Sequence, residues 1–275
     1  MRVTTILLLA VLLAVSNASA LTIVTEDSPP STIVRGDTVT GVSVEIVREI
    51  QRRIGDSTHI DVLPWARAYF MASTTPGVVL FATTRTPERE SRFIWVGPIL
   101  RLQWAFFAMS GKMKPLTSLD EAKRVSSIGT YKDDAREQFL KSQGFTNLES
   151  SSSPHTNFKK LKAGRIDLMV STNLGVGAIL PLWGMKPGDV ENVYTFKEAE
   201  LYIAFSNGSD EAVVAAWEKA FEDMRNDGTL AAIQDRWLPC EAAASEQTRT
   251  PTDAHSSRRS LRPGPDSRPG LPAHP

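Results

Sequence analysis

Thr83-Thr84-Arg85-Thr86-Pro87-Glu88-Arg89-Glu90 places two guanidinium groups among carboxylates and hydroxyls within one short run. A guanidinium presents a rigid planar fork that pairs with both oxygens of a carboxylate, and it keeps its charge when desolvated. Arg89 therefore has two readings: a helix-surface residue paired with Glu88 or Glu90, or a clamp for an anionic ligand. Arg85 precedes Thr86-Pro87, a helix N-cap followed by proline at the first helical position, so structural and ligand-facing roles both fit it. Trp65, in Pro64-Trp65-Ala66-Arg67, is either a core side chain or an aromatic plate for an apolar stem or a cation. Asp133-Asp134 stand where a helix opens, and a carboxylate there caps the helix or faces a ligand while repelling anions.

Other chemistries are poorly served. Glu26, Asp133 and Asp134 are the candidates for a general acid or base, yet no Ser-His-Asp, Cys-His or paired-carboxylate arrangement is legible. His155, in Ser153-Pro154-His155, reads as a solvent-exposed loop residue. His59, His155, His255 and His274 are scattered, so neither a metal site nor a cofactor is expected. Gly175-Val176-Gly177 lacks the strand-turn-helix context of a nucleotide fingerprint. The formal net charge is zero, which gives no reason to expect nucleic acid or an anionic membrane surface as partner.

The elements that must position these groups follow from periodicity and punctuation. Leu21–Thr25 reads as a strand ended by Asp27-Ser28-Pro29-Pro30, and a hairpin follows through Arg35-Gly36-Asp37. Val44, Val47, Ile50 and Ile54 recur at helical spacing, so Val42–Ile54 is a helix with Gly55 as its C-terminal cap. His59–Leu63 and Val78–Ala82 are further strands. A second set comprises a capping box at Ser118-Leu119-Asp120-Glu121, strand Arg124–Thr130, helix Asp134–Gln143, helix Asn157–Lys162 and strand Ile166–Val170. Strand Tyr202–Phe205, helix Glu211–Met224 and a last helix capped by Thr229 complete the chain. Strands alternating with helices imply parallel pairing with crossover helices.

Both ends differ in character. Residues 1–20 carry a basic start, the apolar run Ile6–Val15, and Ala18 and Ala20 framing an A-x-A site, so a signal peptide cleaved after Ala20 is expected. The apolar run is too short for a membrane span of roughly 20 residues. The chain has one cysteine, Cys240, so no internal disulfide is available. Residues 240–275 are rich in Pro, Ser and Arg and poor in large apolar side chains, which predicts a disordered tail.

Four blocks in order resemble family 3 extracellular solute-binding proteins, which serve amino-acid uptake through ABC transporters. They are Gly41–Ile46, Thr83–Glu90 with Phe93–Pro98, Leu161–Asp167, and Asp227–Trp237. The resemblance implies an α/β, two-lobed periplasmic-binding-protein-like fold of type II, with two mixed or parallel sheets flanked by helices and a ligand cleft at the hinge. The first lobe would be residues 21–100 plus 200–239, and the second 101–199. The implied ligand residues are Arg89 on a carboxylate, Thr84 and its neighbour Thr83 beside it, Arg85, Trp65, Ser28 on a loop that lacks the usual aromatic, and Asp133, Asp134 and Thr172 in the second lobe. Thr172 stands where the family places an aspartate for an α-ammonium group, so either Asp133 or Asp134 takes that role or the ligand is not a standard α-amino acid. The implied function is capture of a small polar carboxylate for an inner-membrane permease by a monomer, without catalysis. The alternatives are a sensory or accessory binding protein and a dehydratase-like enzyme on the same fold.

Overall fold

The computed structural model describes residues 21–238, so the expected signal segment, Cys240 and the expected tail lie outside the described residues. The chain opens with β1 (Thr22–Thr25), the hairpin β2 (Ile33–Arg35) and β3 (Thr38–Thr40), and α1 (Val42–Ile54). Val44, Val47 and Ile50 are fully buried on one face of α1, and Gly55 closes the helix at a left-handed φ of 71°. Next come β4 (Ile60–Val62), α2 (Trp65–Thr74) and β5 (Val78–Thr84). β1 pairs in parallel with both β4 and β5. The long strand β6 (Phe93–Met109) then carries the chain into the second lobe.

That lobe holds α3 (Leu119–Ala122), β7 (Ile128–Tyr131), α4 (Ala135–Ser142), β8 (Leu148–Ser151), α5 (Pro154–Lys162), β9 (Leu168–Thr172) and α6 (Asn173–Ile179). β7 pairs in parallel with β8 and β9. The chain returns along β10 (Val190–Ser206) and ends in α7 (Glu211–Asn226) and α8 (Thr229–Trp237). One sheet in the order β4-β1-β5-β10-β6-β9-β7-β8 results, with an antiparallel β10/β6 pair between two parallel sets. The two expected sheets are thus joined into one, because β6 and β10 are each 17 residues long and serve both lobes.

Strand alternation builds a core on each face of both sets. In the first lobe Ile23, Val79 and Phe205 pack under α1 and α7 with Trp217, while Val24, Leu80 and Ala204 face α2. In the second, Ala105, Phe107 and Met169 meet Phe158 of α5, and Phe106, Ala108 and Leu168 meet Leu140 of α4. Each large side chain so buried contributes about 1.5–3 kcal/mol. One expectation at a helix end is corrected: Gly228, at φ 82°, is the N-cap of α8, and Thr229 is its first residue. Thr229 donates its N–H to Asp227 instead of capping the helix itself. No described helix is long and apolar enough to cross a membrane.

Candidate functional site

Parallel strands deliver their following loops to one edge, and ligands bind in the crevice outside those carboxyl ends. Here the loops after β1 and β5 from the first lobe and after β7, β8 and β9 from the second enclose a cavity of about 90 Å³. Its floor is apolar, made by Leu100, Leu102 and Trp104 of β6 and Leu201 of β10. The charged walls come from both lobes.

Arg89 lies in the turn after β5 and is 2% exposed. Its guanidinium sits 5.1 Å from the ring centre of Trp65 and 5.0 Å from that of Tyr69, a double cation–π contact. It donates from Nη1 to the Thr84 carbonyl and from Nη2 to Gln138 Oε1, both at 3.4 Å, while Nε has no hydrogen-bond partner among the described residues. Burial pushes its pKa below the ordinary arginine value, and the nearby Asp134 charge opposes that shift. Glu90, a partner open to Arg89 on the sequence reading, is taken by Arg85, whose Nε donates to it at 2.8 Å.

Across the cavity, Asp134 is the N-cap of α4 and accepts from the Arg136 backbone N–H at 2.9 Å and from Arg136 Nε at 2.6 Å. Arg136 Nη2 reaches its second oxygen at 3.1 Å. Burial alone would raise the Asp134 pKa, but this paired arginine holds it below the usual carboxylate range. Glu26, on the loop after β1, forms no ion pair with an arginine among the described residues. Burial, reinforced by the Asp134 charge and opposed by Arg136, pushes it up to about 8.

The structure brings Ser28, Trp65, Thr84, Arg89, Asp134 and Thr172 to this one cavity. The Thr172 hydroxyl caps α6 by accepting from Gly175 N–H at 2.9 Å. Three expected residues lie off the cavity lining. Thr83 is fully buried, its hydroxyl donating to the Leu80 carbonyl, because adjacent strand residues point to opposite faces. Arg85 lies against Trp95 and Tyr202, tied to Glu90. Asp133 adopts a left-handed φ of 60° and presents its carbonyl, which accepts from Trp65 Nε1 at 3.2 Å.

Sequence reasoning passed over Arg136, Phe158 and Trp104, and read His155 as exposed loop; all four line the cavity. Arg136 did leave a signal. A cation in the first turn of a helix opposes the helix dipole, so its presence marks a specific partner. His155 is the second residue of α5, half-buried, with its ring 5.8 Å from that of Trp183. Among the described residues no His, Cys, Asp and Glu cluster is placed to hold a metal ion.

The family model of bacterial extracellular solute-binding proteins, family 3, matches residues 21–239. No curated protein matches the chain. Among solved structures, a histidine kinase sensor domain with similarity to periplasmic binding proteins superposes with a TM-score of 0.72 at 19% identity, covering 80% of this chain and 97% of that one. An ancestral arginine-binding protein bound to arginine gives 0.70 at 20% identity, covering 80% and 98%. An arginine-, lysine- and histidine-binding protein from Geobacillus stearothermophilus gives 0.69 at 13% identity, covering 82% and 99%. At these identities the likeness is one of fold.

Proposed function

The chain belongs to the bacterial extracellular solute-binding proteins, family 3, and from that premise we propose that it captures one small carboxylate-bearing solute, an amino acid or amino-acid-like compound, between its lobes. The lobes are residues 21–100 with 200–239, and 101–199. The protein acts as a monomer in the periplasm after cleavage behind Ala20, passing its cargo unchanged to an ABC permease.

The observation that carries this reading is Arg89: a buried guanidinium in a cavity between two lobes, paired with no carboxylate of the described residues. Burying a charge without a counter-ion costs several kcal/mol, and a ligand carboxylate supplies that counter-ion. Trp65 holds the guanidinium from one side, and Thr84, Ser28 and Thr172 line the remaining wall. Asp134 is engaged by Arg136 and the Thr172 hydroxyl by its helix, which favours a carboxylate other than a standard α-amino acid.

The test begins with native purification and mass spectrometry of the copurifying compound. Arg89→Gln is then expected to weaken binding of that compound by about 2–5 kcal/mol in calorimetry. Unchanged affinity in Arg89→Gln, or recovery of a converted compound after incubation, would sink the reading.

A further inference from the structure

Two first-lobe residues of the cavity are held by one short stretch of the second lobe. Trp65 Nε1 donates to the Asp133 carbonyl at 3.2 Å, and Arg89 Nη2 donates to Gln138 Oε1 at 3.4 Å. Gln138 Nε2 in turn donates to the same Asp133 carbonyl at 3.3 Å, and Arg89 stacks on Trp65 at 5.1 Å. The four residues close a ring that crosses the cleft twice.

Each member has the chemistry its place requires. Only one orientation of the Gln138 amide serves both neighbours, since its oxygen must face a guanidinium that cannot accept and its NH₂ must face a carbonyl that cannot donate. Asp133 reaches its place through a left-handed backbone, φ 60°, which aspartate tolerates better than most residues. Ser28, Thr84 and Thr172 also line the cavity but make none of these crossings.

We propose that Gln138 is a positioning residue that holds Arg89 in its ligand-facing orientation and, through the Asp133 carbonyl, couples that orientation to closure of the lobes. The role rests on Arg89 being the anion contact. A ligand that needs Arg89 in place thereby favours the arrangement in which Trp65 is bonded across the cleft, which is how differential contacts shift a two-state equilibrium. Gln138 and Asp133 are themselves exposed, so changing Gln138 leaves the cores intact.

The tryptophan indole N–H signals in a nitrogen-15 NMR spectrum of the whole exported chain test this, with Trp65 assigned from Trp65→Phe and acetate as the carboxylate probe. Gln138→Ala is expected to lower the exchange protection of the Trp65 indole at least tenfold while that of Trp217, buried in the first-lobe core, stays put. Gln138→Glu places a carboxylate on Arg89 but loses the donor to the Asp133 carbonyl, so the acetate midpoint should move at least tenfold higher while Trp65 protection falls as in Gln138→Ala. Unchanged Trp65 protection in Gln138→Ala, equal loss at Trp65 and Trp217, or wild-type acetate binding by Gln138→Glu overturns the proposal. Acetate that moves no signal in the wild type, with Trp65 protection still dependent on Gln138, upholds the ring and overturns the assignment of Arg89 to anions.

Discussion

Glu26 enters the cavity wall with its pKa pushed from 4.5 to about 8, chiefly by burial and then by the Asp134 charge. The folded protein therefore keeps a proton there that the unfolded chain releases near its ordinary value. Between those two values the folded state binds more protons, so its stability falls as pH rises through the window and levels off above it. The melting temperature of the wild type should drop between pH 5 and pH 8 by the equivalent of a few kcal/mol, and Glu26→Gln should flatten that slope in differential scanning calorimetry. A slope retained in Glu26→Gln would assign the proton to another group. At this scale the sequence showed which residue types mattered and less about where they point. Thr84 and Thr83 are adjacent, yet strand alternation sends one to the cavity and buries the other. Arg85 and Arg89 are both in the same motif, yet Arg85 pairs with Glu90 against Trp95 and Tyr202 while Arg89 is buried on Trp65 and Tyr69.

Gly41 shows what an element end contributes to the site. The first N–H groups of α1 have no partner within the helix; those of Val42 and Ser43 donate to the carbonyls of Pro30 and Ser31, on the loop that walls the cavity. Gly41 makes this approach possible at φ 122°, where a Cβ would stand 2.4 Å from the Ser31 oxygen. Gly41→Ala is expected to destabilise the protein by about 2–4 kcal/mol, read as a fall of about 2–4 °C in melting temperature per kcal/mol; a melting curve unchanged by Gly41→Ala would refute the close approach. Helix α1 was legible because its apolar stripe and its capping glycine agree. Strand β8, Leu-Glu-Ser-Ser, was not, because its side chains are mostly polar and partly exposed, and its place comes from pairing with β7. Most of β10 was hidden for a similar reason: Lys197, Glu198 and Glu200 interrupt any apolar run along it, while its partner β6 supplies the pairing. Helices α2 and α6 lack the wide apolar stripe that marks α1, burying three and two residues respectively.

Seen as a whole molecule, two lobes share their longest strands. β6 and β10 pair from Val190 opposite Met109 to Ser206 opposite Phe93, so melting either lobe strips half of a ladder that the other lobe needs. Thermal unfolding is accordingly expected as one transition, with calorimetric and van't Hoff enthalpies equal; two resolved heat-absorption peaks would show that the lobes hold separately. The same ladder sets Leu102 directly opposite Ala199, and residues facing each other in an antiparallel pair lie about 5 Å apart. Severing both strands at that rung releases residues 102–199 as a cassette whose two cut ends already sit side by side. Swapping such a cassette between relatives takes two peptide joins and no spacer, and the transplanted lobe must still match the first at the rungs of β6 and β10.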